Sequence, residues 1–139
     1  MPATALLSQS AVAAEPLVNA TGDIAIKGYD LVAYFTEGKP AKGVPRLSSQ
    51  WEGAMVHFAS AAHTEMFDAD PEAFAPKYAG YCAYAVSKSY TASTDPAVWT
   101  IYEVRLYFDY SRSVWALWNL KRDDHIVSAD ANWPRVLEG

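Results

Sequence analysis

The sequence has little cysteine and few basic residues, and both shortages exclude classes of function. Cys82 is the single cysteine among 139 residues, and without a Cys-x-x-Cys-His motif the chain cannot attach a c-type haem. Eleven Lys and Arg against 16 Asp and Glu give a formal charge of −5. With no basic run, the chain is not expected to bind nucleic acid or an anionic membrane electrostatically. No apolar run approaches the roughly 20 residues that would span a bilayer.

What the sequence does contain is apolar and aromatic. Apolar residues make up 51% and aromatic residues 14%, with five Trp and nine Tyr, which predicts one globular domain with a real core. Residues 1–14 carry no charge and end in Ala11-Val12-Ala13-Ala14, small residues typical of a signal-peptide cleavage site. We therefore expect residues 1–14 to be a signal-peptide remnant or a disordered tail. Residues 15–139 should then form the domain of a periplasmic or otherwise exported protein.

Hydrophobic periodicity predicts an α+β domain with two short antiparallel hairpins and three to four short helices. One hairpin pairs residues 46–51 with 54–58 around Glu52-Gly53, and the other pairs residues 99–102 with 105–110. Glu103-Val104 joins the second pair, and a β-branched residue at positive φ is strained there, so we predict a longer or different turn.

The expected helices each begin at a capping residue. Asp30 should cap one or two turns, Ser60 a helix over 61–69, and Ser111 a helix to about residue 120. Asp123 or Asp124 is expected to cap a last helix that ends near Pro134.

The candidate chemistry centres on Cys82, which lies in the aromatic stretch Tyr78–Val86. One thiolate with the nearby donors His63, His57 and Asp30 would suit copper or zinc, which accept mixed sulfur and imidazole ligands. The alternatives remain open: Cys82 as a small core residue, His63 satisfying a tyrosine hydroxyl, and Asp30 capping its own helix. On strand alternation, His57 should face solvent.

Three further residues are candidates for a small-ligand pocket. Tyr29 and Tyr81 could line a small cavity, and Gly80 could permit the backbone conformation that positions Cys82. Cys82, His63 and Asp30 could also act as nucleophile, base and orienting group of a cysteine enzyme. The sequence supplies no recognisable oxyanion hole or substrate pocket for that reaction.

Surplus tryptophans suggest an interaction surface. Trp115 and Trp118 lie within one helical turn, and an exposed Trp would mark a homodimer or partner interface. A protein-interaction or structural module, with Cys82 and His63 in its core, is therefore the alternative to a metal-binding or small-ligand-binding protein.

Three separated motifs resemble the YHS domain family, in its exported, cysteine-poor bacterial branch. They are Gly28-Tyr29-Asp30-Leu31-Val32-Ala33-Tyr34-Phe35, the segment Phe58–His63 with Phe67 and Asp70-Pro71-Glu72, and Tyr78–Val86; the ending Ala131-Asn132-Trp133-Pro134 fits as well. The likeness spans roughly residues 24–137.

The resemblance implies a small α+β domain, usually unassigned in function, that is suspected of binding metal. The chain departs from the shorter YHS modules, because Ala59 and His63 stand where those modules carry two cysteines. Leu31 also replaces the usual Pro of the first motif. From the resemblance and the residues together, we expect a non-catalytic exported protein that binds a copper-type or zinc-type ion, or a small ligand, near Cys82 and His63.

Overall fold

Residues 14–139 are described by the structure, a computed structural model, and form one α+β domain. Nearly all of the proposed signal-peptide remnant, residues 1–13, lies outside the described residues. Two small sheets, each built around an antiparallel hairpin, are flanked by short helices. The predicted fold class is confirmed.

The first sheet has four strands in the spatial order β1-β2-β4-β3. They are β1 (Ala20–Thr21), β2 (Ile24–Ala25), β3 (Val44–Trp51) and β4 (Ala54–Phe58). β2 runs parallel to β4, and the other two pairings are antiparallel. Glu52 and Gly53 have φ values of 50° and 86°, which makes the predicted two-residue turn. Between Val44 and Ser48, β3 shifts register against β4 through a bulge.

The second sheet shows that one prediction was wrong. β5 (Trp99–Tyr102) pairs with β6 (Arg105–Phe108), and Tyr102 lies opposite Arg105. Only Glu103 and Val104 therefore make the turn, at φ values of 49° and 59°. The longer turn is absent because the cross-strand pairs continue up to the turn and hold it in this strained conformation.

Six α-helices occur in the described residues: α1 (Ala33–Thr36), α2 (Ala61–Ala69), α3 (Pro71–Phe74), α4 (Ala83–Ser87), α5 (Arg112–Leu120) and α6 (Arg122–Asn132). There are also 3₁₀ turns at Ile26–Gly28, Lys77–Gly80 and Arg135–Glu138. The number exceeds three to four because α3 and α4 are single turns with little periodicity to reveal them.

The predicted serine caps are confirmed. The Ser60 hydroxyl accepts a hydrogen bond from the amide of His63 at 3.1 Å, and the Ser111 hydroxyl accepts one from the amide of Val114 at 3.3 Å. α6 instead begins after Lys121, so Asp123 and Asp124 lie inside its first turn and do not cap it.

The core consists of two clusters of buried side chains. The larger joins the first sheet to α1, α2 and β6, and includes Leu31, Tyr34, Phe58, Phe67 and Phe108. The smaller joins Tyr78, Tyr81 and Tyr107 to Trp118 of α5 and Ala129 of α6. Within the described residues, no helix is long and apolar enough to cross a membrane.

Candidate functional site

Asp30 and His63 form a close polar pair. Oδ2 of Asp30 lies 2.7 Å from Nδ1 of His63, and the Asp30 side chain is fully buried while that of His63 is 12% exposed. Asp30 precedes α1, and the Ser60 cap sets His63 in the first turn of α2. The pair therefore joins the start of one helix to the start of another.

The Asp30 carboxylate accepts three further hydrogen bonds, all from backbone amides. Oδ1 accepts from the amides of Val32 at 2.9 Å and Ala33 at 3.1 Å, and Oδ2 accepts from the amide of Ala59 at 2.8 Å. Asp30 thus accepts from the two amides at the start of α1, although Val32 is the N-cap residue, and it binds His63 as well. Four N–H donors compensate the carboxylate for the water that it loses on burial.

The other nitrogen of His63 points toward the surface. Since a carboxylate only accepts, Nδ1 of His63 carries the proton that it donates to Asp30. In the neutral imidazole, Nε2 then keeps its lone pair, 3.3 Å from Oγ1 of Thr36 and 3.9 Å from Oε2 of Glu37. Asp30 therefore fixes the tautomer that presents a ligating or proton-accepting nitrogen near a carboxylate that is 41% exposed.

Cys82 lies in a different polar pair, with Asp109. Its Sγ is 3.4 Å from Oδ1 of Asp109, which also accepts from the amide of Tyr84 at 3.0 Å. Burial raises the pKa of Cys82 to about 12 and that of Asp109 to about 7. The thiol is 1% exposed, so the environment disfavours the thiolate that both metal ligation and nucleophilic attack require.

The structure brings together His63 and Asp30 but gives Cys82 and His57 other surroundings. Cys82 and His63 share no hydrogen-bond partner, and residues 14–139 contain no group of three or more His, Cys, Asp or Glu arranged to hold a metal ion. Any metal bound at His63 would thus have at most two protein ligands of these types.

His57 does not face solvent as expected, since it is only 8% exposed. His57 does lie on the face opposite to Val56 and Phe58, which are in the core, but a second segment covers that face of β4. There, the amide of Gly43 donates to the carbonyl of Gly28 at 2.8 Å, and Tyr29 pairs with Lys42. His57 is therefore buried away from the main core.

The three pocket candidates have contacts of their own. The Tyr81 hydroxyl donates to the carbonyl of Pro16 at 2.7 Å, and the ammonium of Lys42 lies 5.0 Å from the ring centroid of Tyr29. Gly80 has a φ of 86°, and a Cβ there would collide with Ile26. Gly80 thus permits a positive φ and a close approach to Ile26.

The tryptophan prediction needs correction. Trp118 is fully buried in the smaller core cluster, so it cannot form part of a dimer surface. Trp115 is half-buried and donates from Nε1 to the hydroxyl of Thr100 at 2.8 Å, which ties α5 to β5. Both residues therefore have intramolecular roles.

Sequence reasoning missed Asp109, Thr36 and Glu37. Asp109 follows the apolar strand Leu106-Tyr107-Phe108 directly, and a carboxylate in that position is a usable signal of a buried polar contact. Thr36 and Glu37 lie at the end of α1, directly after the first motif. Only the folded structure places them beside His63 of α2, so the sequence gives no local signal for this contact.

Comparison of the chain with family models, with curated proteins and with solved structures gives no match. The resemblance to the YHS domain family therefore stays a prediction, carried by the motifs alone.

Proposed function

We propose that this chain is a non-catalytic, exported binding domain that takes a copper-type or zinc-type ion at His63. Nε2 of His63 is the principal ligand and the Glu37 carboxylate is the second, with solvent completing the coordination. Asp30 serves as the outer partner that orients the imidazole.

The observation that carries the proposal is the 2.7 Å contact between Oδ2 of Asp30 and Nδ1 of His63. Histidines that ligate metals usually donate their other ring N–H to a carboxylate, which fixes the ring and raises the basicity of the ligating nitrogen. Here the carboxylate is fully buried and the ring edge opposite to it reaches the surface beside Glu37.

The donor set defines which ions fit. Imidazole and carboxylate suit Zn²⁺ and Cu²⁺, whereas Cu⁺ prefers the soft thiolate that Cys82 does not offer in its buried, protonated state. Two protein ligands make a weaker site than the three or four of a closed structural zinc site. The proposal thus describes reversible capture of an ion and not a folding centre.

Calorimetric titration of the purified chain with Zn²⁺ and with Cu²⁺ at pH 7 tests the proposal. His63→Gln can still donate to Asp30 but offers no imidazole, and we expect it to weaken binding at least about tenfold. Glu37→Gln should weaken binding roughly threefold to tenfold. His125→Gln removes a histidine of another helix and should leave binding unchanged.

Two results would contradict the metal proposal. One is that neither ion binds saturably; the other is that His63→Gln binds as tightly as His125→Gln while both variants keep the wild-type circular dichroism.

A protein-interaction module is the second candidate, and one observation favours it. Leu117 and Leu120 lie three residues apart on α5 and are 47% and 78% exposed, so they present an apolar strip on one side of the helix. Light scattering after size exclusion, with Leu120→Lys as the disrupting variant, tests whether this strip joins two copies. A strict monomer at micromolar concentration would remove the homodimer version.

A further inference from the structure

A cavity lies on the first sheet, and the proposed metal site at His63 and Glu37 does not use it. This groove, which we call the bulge groove, has a volume of about 360 Å³, within the range of small-molecule sites. It follows β2 and the start of β3, next to the β-bulge, and Ile24, Lys27, Gly28, Lys42, Pro45 and His57 contribute to its mainly apolar wall.

His57 is the buried polar group of the bulge groove. It is 8% exposed, and its ring nitrogens make no hydrogen bond to any residue of the described range 14–139. A Cβ placed on Gly28 would lie 3.3 Å from Nδ1 of His57, 3.7 Å from Cε of Lys42 and 3.8 Å from Cγ2 of Ile24. Because Gly28 has no side chain, this imidazole nitrogen borders open groove space where a Cβ would otherwise stand.

The charges of the bulge groove have one sign. Two lysines, Lys27 and Lys42, line it, and no Asp or Glu of the described residues does. Neither lysine takes part in an ion pair within residues 14–139. Among residues 14–139, the Lys42 ammonium donates one hydrogen bond, to the carbonyl of Lys27 at 3.0 Å, so two of its three N–H groups have no acceptor there and suit a ligand. In a chain of net charge −5, this local surplus of positive charge favours an anion.

We propose that the bulge groove binds a small organic carboxylate with an apolar body. The carboxylate accepts from the ammonium of Lys42 and from a ring N–H of His57, and the Lys27 ammonium adds attraction from the rim. The apolar body lies against Ile24 and Pro45. Purely inorganic anions fit less well, because they would leave the apolar part of the wall without a partner.

Hexanoate is the probe and 1-hexanol its uncharged match, each titrated into the full chain at pH 7 and followed by NMR of the His57 ring. A chelator is present throughout, so the outcome does not depend on the metal site at His63. We expect saturable binding of hexanoate, with hexanol at least about tenfold weaker.

Two variants and one control test which residues bind hexanoate. Lys42→Gln should weaken hexanoate binding about tenfold, and His57→Phe, which keeps an aromatic ring but no nitrogen, at least about threefold. Lys39→Gln removes the same charge outside the groove and should bind as the wild type does. Lys42 is exposed, so its variant tests the proposal even if His57→Phe fails to fold.

The proposal is overturned if hexanoate shows no saturation up to about 50 mM, or if hexanol binds equally well. It is also overturned if Lys42→Gln and Lys39→Gln bind hexanoate alike. Binding of Zn²⁺ at His63 would stand unaffected by each of these results.

Discussion

Asp30 and Asp109 are both buried carboxylates, but their surroundings differ. Asp30 accepts four N–H hydrogen bonds and orients a histidine that reaches the surface. Asp109 accepts from one amide and one thiol, and burial raises its pKa to about 7. Asp109 thus has fewer and weaker donors than Asp30 to replace the water lost on burial, and burial favours its neutral form.

Replacement by asparagine should therefore change the stability of the protein in opposite directions at the two positions. Asp30→Asn should destabilise it, and this is the larger effect. Each carboxylate oxygen of Asp30 accepts two hydrogen bonds from N–H groups. In Asp30→Asn, an NH₂ group replaces one of these oxygens in either orientation of the amide, so it faces two N–H donors and can accept from neither. We expect a loss of roughly 3 to 5 kcal/mol in the free energy of unfolding at pH 7, measured by urea denaturation. A loss below about 1 kcal/mol would mean that the network contributes little.

Asp109→Asn should stabilise the protein above pH 7. The folded-state pKa of Asp109 lies above its unfolded value, so the folded state binds the proton more tightly. The stability that protonated Asp109 contributes to the free energy of unfolding is fully present below about pH 4, and it is lost as the pH rises through about 7. The amide oxygen of Asn can still accept from Tyr84 and Cys82. We expect a gain of about 2 to 4 kcal/mol at pH 8 and little change at pH 4.

Denaturation curves of both proteins from pH 4 to 8 measure this difference. Equal stability of Asp109→Asn and wild type at every pH would show that Asp109 titrates normally, and the contrast with Asp30 would fail.

Cys82→Ala should change the free energy of unfolding less than the two Asn variants do. We expect a loss of about 1 to 2 kcal/mol, because the substitution removes one sulfur from the core and one weak donor from Asp109. Cys82→Ser keeps a hydroxyl donor and is the matched control, expected to bind Asp109 at least as well. If the Ala variant loses metal binding in the calorimetric titration while it stays folded, Cys82 is a ligand after all and our separation of the two regions is wrong.

The smallest effect belongs to a position that touches neither carboxylate. Val104 is 79% exposed at a φ of 59°, and Val104→Gly should relieve strain worth about 1 kcal/mol after the cost in unfolded-state entropy. Val104→Ala keeps a Cβ and should gain less. The gain should not vary with pH, and an unchanged melting temperature would refute the strain.

Local signals allowed much of the fold to be predicted. Ser60 and Ser111 were identified as caps because a cap depends on neighbours within three residues. The Glu52-Gly53 turn followed from its residue types in the same way. The Glu103-Val104 turn did not, since the pairing of β5 with β6 overrides the local preference for a glycine.

The site was only partly predictable, because its contacts join distant segments. Asp30 and His63 are 33 residues apart, and the capping preference of each gave no measure of their separation. The partner of Cys82 lies 27 residues further on, directly after β6. His57 was misjudged because alternation shows which residues share a face but not what covers that face.

The central claim is that Asp30 holds the His63 ring so that the proton lies on Nδ1 and the lone pair on Nε2. NMR of the ¹⁵N-labelled imidazole measures this directly. We predict that the neutral ring carries its proton on Nδ1, and that added Zn²⁺ shifts the Nε2 resonance. A proton on Nε2, or no response of either His63 nitrogen to Zn²⁺, would contradict the account.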